Sequence, residues 1–94
     1  MTTVLITGAA RGIGLELCRH YRGRGERVIA SCRNSTQALA ALGVEVIEGI
    51  DVAHAEGAAR LREALGDRPL DILINNAGVL VRDALGEIDF DAVA

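Results

Sequence analysis

The sequence contains no lysine. Its ten basic side chains are all arginines, set against 13 Asp and Glu for a formal net charge of -3. No broad basic face is therefore offered to nucleic acid or to an anionic lipid surface, and any anion site must be local. Cysteine is scarce as well. Cys18 and Cys32 stand 14 residues apart, with no CxxC spacing and no histidine at ligand distance, which gives disulfide and metal readings little support. Met1 leads within two residues into a short apolar run ending at Thr7 and Gly8, without the charged region and apolar core of a targeting segment. The longest uncharged stretch, Asn34 to Val44, is about half of the roughly 20 residues a membrane span needs. A reducing cytoplasm is the expected setting.

What remains is a chain of 94 residues, 50% hydrophobic. That suffices for one small domain, residues 1–94, which buries roughly 60–65% of the surface its unfolded chain exposes. Val4-Leu5-Ile6, Arg27 to Cys32 and Leu70 to Asn75 are near-continuous apolar runs of the kind found in strands buried on both faces of a parallel sheet. Val44 to Glu48 alternates apolar with charged, as a strand at a sheet edge does. Between the first two strands, Ile13, Leu17, Cys18 and Tyr21 fall on one side of a helical wheel, opposed by Glu16, Arg19, His20 and Arg22. Gly23 and Gly25 are expected to end that helix in left-handed geometry. Thr36 to Leu42 reads as a short Ala-rich helix. A third helix runs from Ala55 to Leu65, burying Ala58, Leu61 and Leu65 and pairing Glu56 with Arg60 at i,i+4. Pro69 separates it from the fourth strand, and a further helix start falls near Ile88 to Ala94. Strands alternating with helices, joined by connections too long for hairpins, call for right-handed parallel crossovers and a doubly wound α/β sheet.

The stretch Val4 to Gly14, VLITGAARGIG, spaces Gly8, Gly12 and Gly14 as G-x3-G-x-G. Eleven glycines in 94 residues make that spacing easy to meet by chance. Its position strengthens it. The loop leaves a buried strand and opens an amphipathic helix, where backbone N–H groups and the positive helix end converge on a pyrophosphate.

Here the chain resembles the short-chain dehydrogenase/reductase family. Thr7-Gly8-Ala9-Ala10-Arg11-Gly12-Ile13-Gly14 matches its T-G-x3-G-I-G loop, and Asn75-Asn76-Ala77-Gly78 its N-N-A-G motif. Asp51-Val52 is similar to its adenine-contacting pair, and Ser31-Cys32-Arg33-Asn34 to the end of its second strand. The local wording is nearest the small carbonyl-reductase-like members that include the sniffer and C-factor proteins. The resemblance implies a Rossmann-type sheet, represented by its N-terminal half with strand order 3-2-1-4. It also implies that Asp51 hydrogen-bonds the adenine amino group, that Val52 packs on the ring, that Asn75 ties strands together around the site, and that Ala77 and Gly78 give the cofactor a close backbone approach. An Asp at a strand end is also a common residue at a helix start, and Ala53 beyond it cannot cap. His54 has no evident partner and is expected at the surface.

The end of the second strand decides which dinucleotide fits. Such folds hold a ribose 2'-OH with a carboxylate about 20 residues beyond the loop, whereas a 2'-phosphate needs a cation. Here Cys32 stands in that place and Arg33 follows, with Arg11 in the glycine loop able to reach the same phosphate. A charge-assisted contact of about 1.5–3 kcal/mol favours NADP over NAD by roughly one to two orders of magnitude. NADP(H) is the expected cofactor, held by Gly8, Ala10, Arg11, Gly12, Ile13, Gly14, Arg33, Asn34, Asp51, Val52, Asn75, Ala77 and Gly78.

The resemblance places catalysis in a Ser and a Tyr-x-x-x-Lys of the family's second half, and its catalytic Asn also falls past Ala94. The single tyrosine, Tyr21, lies on the apolar stripe of the first helix. No catalytic residue is assigned within these 94 residues. Two readings stay open: the cofactor-binding portion of an oxidoreductase moving hydride between NADPH and a carbonyl or alcohol, and a stand-alone, non-catalytic dinucleotide-binding or assembly module. The intact mass in the native source separates them. With no fifth strand in these 94 residues, the fourth strand is expected to form an apolar edge that pairs with another copy in a homo-oligomer or with a missing C-terminal half.

Overall fold

Val4, Leu5 and Ile6 are all completely buried, yet successive side chains of a strand point to opposite faces. Both faces of the sheet must therefore be covered, and they are. The structure, a computed structural model, describes residues 2–76. The expected helix start near Ile88 lies outside the described residues.

The elements alternate as read: β1 (Thr3–Thr7), α1 (Gly12–Gly23), β2 (Arg27–Ser31), α2 (Gln37–Ala40), β3 (Glu45–Ile47), α3 (Ala55–Leu65) and β4 (Ile72–Ile74). They form one four-stranded parallel sheet in the order β3-β2-β1-β4, a Rossmann-type arrangement. The central strand β1 sets the register: Leu5 lies beside Ile29 of β2 and Leu73 of β4. On one face Val4, Ile6, Val28, Ala30 and Ile74 pack with Cys18 of α1 and Leu39 of α2. On the other, Leu5, Ile29 and Leu73 pack with Ala58, Leu61 and Leu65 of α3. No helix among the described residues is long and apolar enough to cross a membrane.

Several details of the sequence reading change: α2 ends at Ala40 rather than Leu42, and β2, β3 and β4 are each shorter than the runs that announce them. Ile13 is 72% exposed, not part of the buried stripe; Gly14 and Cys18 are the buried residues of α1. The helix begins beyond the end of β1, so its first turn has no sheet beneath it for Ile13 to cover. Of the two glycines expected to close α1, Gly23 is still helical and only Gly25 takes the left-handed conformation, at φ +82°. Thr36 is the N-cap of α2 rather than its first residue, its hydroxyl accepting the Leu39 N–H. The α3 boundaries, Ala55 and Leu65, are those expected.

Candidate functional site

Parallel strands put all their C-terminal ends on one side, and every βα turn of this sheet opens there. The turn after β1 is held in an unusual shape. Gly8 and Gly12 sit at φ +61° and +60°, a region costly for any residue with a Cβ. A Cβ on Gly14 would lie 2.2 Å from the Gly8 carbonyl oxygen and 2.6 Å from Asn76 Nδ2, so only glycine lets α1 start this close to its own loop. The loop is pinned from three sides. Ala9 N–H donates to the Ser31 carbonyl at 3.1 Å, Asn76 Nδ2 donates to the Gly8 carbonyl at 3.0 Å, and Thr36 Oγ1 donates to the Ala10 carbonyl at 2.7 Å. Asn75 fastens the same end of the sheet, its Oδ1 accepting from the buried Thr7 hydroxyl at 3.2 Å.

These turns enclose a cavity of about 530 Å³. Gly8, Ala10 and Arg11 line it from the glycine loop, and Arg33 and Asn34 from the end of β2. Asp51 and Val52 line it from beyond β3. Seven expected site residues thus face one space. Gly12, Ile13 and Gly14 form the adjoining start of α1, and Asn75 stands next to the lining residue Asn76. Ala77 and Gly78 lie outside the described residues. The sequence reading did not single out Asn76 or Ile50 as lining residues, nor Thr36 as a brace. Thr36 had one readable signal, its cap position; its bond to Ala10 is made across 26 residues and leaves no local trace.

The charges of the cavity are asymmetric. Arg11 and Arg33 are exposed, and neither forms an ion pair with a described carboxylate. The start of α1 has no side-chain cap among the described residues and no acid in its first turn, so the positive end of its dipole faces out unopposed. Asp51 is the carboxylate on the lining. Its Oδ1 accepts the Ala53 N–H at 3.0 Å and its Oδ2 lies 3.7 Å from His54 Nε2. His54, expected without a partner, is at the surface as read but stands beside Asp51, because three residues on one turn bring them together. Cys32 fills the place after β2 where a 2'-OH-binding carboxylate would stand. It is a free, buried thiol; burial and then the nearby Glu48 carboxylate push its pKa up. Burial likewise pushes Cys18 up to about 11, so neither thiol supplies a thiolate near neutral pH.

Tight backbone turns, a helix start without a cap and two guanidinium groups without an ion pair among the described residues fit a diphosphate-bearing ligand. Comparison with known proteins agrees with that fit. The sequence pattern of the short chain dehydrogenase family matches residues 2–94. The chain is 38% identical over 95 residues to 1-hydroxy-2-glutathionyl-2-methyl-3-butene dehydrogenase of Rhodococcus sp. (strain AD45), covering 99% of this chain and 42% of that one. Its fold is similar to L-sorbose reductase from Gluconobacter frateurii, solved with NADPH and L-sorbose, with a TM-score of 0.68 and 31% identity over 83% of this chain and 34% of the other. The Pseudomonas aeruginosa RhlG/NADP active-site complex gives a TM-score of 0.69 and 36% identity, over 83% of this chain and 35% of that one. The chain thus spans about a third to two-fifths of the length of these relatives. With its parallel sheet, its glycine turn and this continuous match, the chain belongs to the short-chain dehydrogenase/reductase family.

Proposed function

We propose that this chain carries the adenosine and pyrophosphate end of an NADP(H) site in an oxidoreductase that moves hydride between NADPH and a carbonyl or alcohol. Members of the family bind nicotinamide dinucleotides. The pyrophosphate rests on the Gly8–Gly14 turn and the start of α1, Asp51 and Val52 receive the adenine, and Arg33 with Asn34 receives the 2'-phosphate, with Arg11 opposite. The family motif assigns Asn75, Ala77 and Gly78 to the same cofactor, whose nicotinamide supplies the hydride when bound. No residue of this chain is assigned a catalytic role.

One observation carries the choice of NADP over NAD. Arg11 and Arg33, unpaired by any described carboxylate, line the same cavity, while a buried thiol holds the position from which a carboxylate would repel a 2'-phosphate. Titration of NADPH and NADH against wild type and Arg33→Asp tests it. The substitution is expected to move the affinity ratio toward NADH by roughly one to two orders of magnitude. An unchanged ratio refutes the assignment of Arg33.

The buried free thiols support a reducing, cytoplasmic setting for the protein. The outer backbone edge of β4 pairs with no described strand, while Leu73 and Ile74 are buried beneath it on opposite faces. Copies of the 94-residue chain are proposed to join along that edge. A monodisperse monomer at high micromolar concentration counts against this.

A further inference from the structure

Past β3 the backbone continues to follow the end of β2. Cys32 N–H donates to the Ile47 carbonyl at 3.1 Å, Gly49 N–H to the Arg33 carbonyl at 3.1 Å, and Ile50 N–H to the Cys32 carbonyl at 3.0 Å. This pairing fixes residue 48 beside the turn that follows Arg33. The Glu48 Oε2 accepts the Ser35 backbone N–H there, at 2.7 Å. The position of the carboxylate is therefore imposed by the sheet, although the side chain is exposed.

No described cation neutralises Glu48: the described ion pairs join Arg19 to Glu16, Arg24 to Glu26, His54 to Asp51, Arg60 to Glu56 and Arg68 to Glu45. Its field reaches the turn, since it helps to push up the neighbouring Cys32 thiol. Arg33 and Cys32 line the cavity, and Glu48, outside the lining, is held at the adjoining turn by the Ser35 N–H. A negative charge in that place repels a 2'-phosphate and is nearly indifferent to a 2'-hydroxyl.

We propose that Glu48 is a specificity-determining residue: its carboxylate fixes the Arg33–Ser35 turn through the Ser35 N–H and opposes Arg33 electrostatically, limiting the preference for 2'-phosphorylated dinucleotide. This rests on the NADP(H) reading. It assigns Glu48 two effects of opposite sign, which substitution separates. Glutamine keeps an acceptor for the Ser35 N–H and removes the charge; lysine reverses the charge.

The probes are adenosine 2',5'-bisphosphate and adenosine 5'-monophosphate, titrated against the full chain by calorimetry. Glu48→Gln is expected to tighten the bisphosphate about three- to tenfold, the order a single exposed charge exerts over several ångströms in a water-like dielectric, and to leave the monophosphate unchanged. Glu48→Lys extends the same trend. Both differences shrink at about 1 M ionic strength, where the screening length falls to about 3 Å. Suppose instead that wild type prefers the bisphosphate, that Arg33→Ala abolishes the preference, and that Glu48→Gln and Glu48→Lys leave it where it was. The proposal about Glu48 is then wrong and the NADP(H) reading stands. If wild type binds the two probes equally and Arg33→Ala changes neither, both fall.

Discussion

The starts of α1 and α3 face the same end of the sheet and use the same packing device, yet they are dressed with opposite charge. Each helix carries a glycine at its third residue, where a Cβ would collide with backbone of the preceding turn: Gly14 against Gly8, Gly57 against Asp51 at 1.9 Å. Neither helix has a side-chain cap among the described residues. At α3, however, Asp51 sits just ahead of the helix and Glu56 in its first turn, so the protein supplies its own anions to the positive end. In the first turn of α1 there is no acid, and Arg11 adds a cation. Shared close packing thus reports only that a helix must start near a strand end. What separates a junction that completes itself from one fitted to an external anion is the sign of the nearby side chains.

Substitution breaks this comparison in graded steps. The largest effect is expected from a Cβ at the two glycines. Gly14→Ala and Gly57→Ala should each destabilise by about 1–3 kcal/mol, because the obstructing atoms are backbone and cannot rotate away. Thermal unfolding reads that loss, and calorimetry with NADPH separates the two. Gly14→Ala loses measurable binding, while Gly57→Ala, which displaces only the Asp51 turn, weakens it less. Arg11→Glu gives α1 the electrostatics of α3. It should stabilise the helix by about 0.3–1 kcal/mol while lowering dinucleotide affinity about tenfold or more. Stability and affinity moving together would contradict the division of roles between the two junctions.

Smaller effects sharpen it. Thr36→Val removes both the cap of α2 and the bond to the Ala10 carbonyl, for an expected loss of about 1–2 kcal/mol, with a modest drop in affinity; Thr36→Ser retains both. At the far end of α3, Arg68 donates to the Ala64 and Leu65 carbonyls and bonds Glu45 on β3 at 2.6 Å. The pair is partly exposed, so Arg68→Ala should cost about 1 kcal/mol or less. The hydrogen bond from Arg68 holds the Glu45 carboxyl below its ordinary value of 4.5. The associated stability is therefore present above that value and lost as pH falls through the lowered one. Urea denaturation between neutral pH and about pH 3 should show a smaller acid-side loss in Arg68→Ala than in wild type.

Much of this was legible in the sequence because burial on two faces leaves a plain mark. Val4-Leu5-Ile6 and the run Leu70 to Asn75 lack a regular polar alternation, and the alternation at Val44 to Glu48 identified the strand at the sheet edge. Helical periodicity located Ala58, Leu61 and Leu65 correctly. It failed for Ile13, because a period gives the direction of a side chain but not where the sheet beneath it ends. The turn residues gathered around one cavity were found through local wording. The bonds holding those turns were not: Thr36 to Ala10, Ser35 to Glu48 and Asn76 to Gly8 join residues 26, 13 and 68 apart, and each member has an ordinary local role that hides the pairing. Asn75 and Asn76 are adjacent and alike, yet they hold different groups, Asn75 the Thr7 hydroxyl and Asn76 the Gly8 carbonyl.

The seam between β1 and β4 orders events in time. Thr3 bonds Asp71, Thr7 bonds Asn75, and Gly8 is held by Asn76, each across 68 residues of chain. Closing so long a loop costs more entropy than the nearer pairing of β1 with β2, so β1, α1 and β2 are expected to assemble first and β4 to dock afterwards. The glycine loop then receives its Asn76 brace only at the last docking step, and on a growing chain no ribosome product shorter than 76 residues can hold that turn in its final shape. The final shape of the glycine turn becomes a late checkpoint of folding, reached when β4 docks against β1.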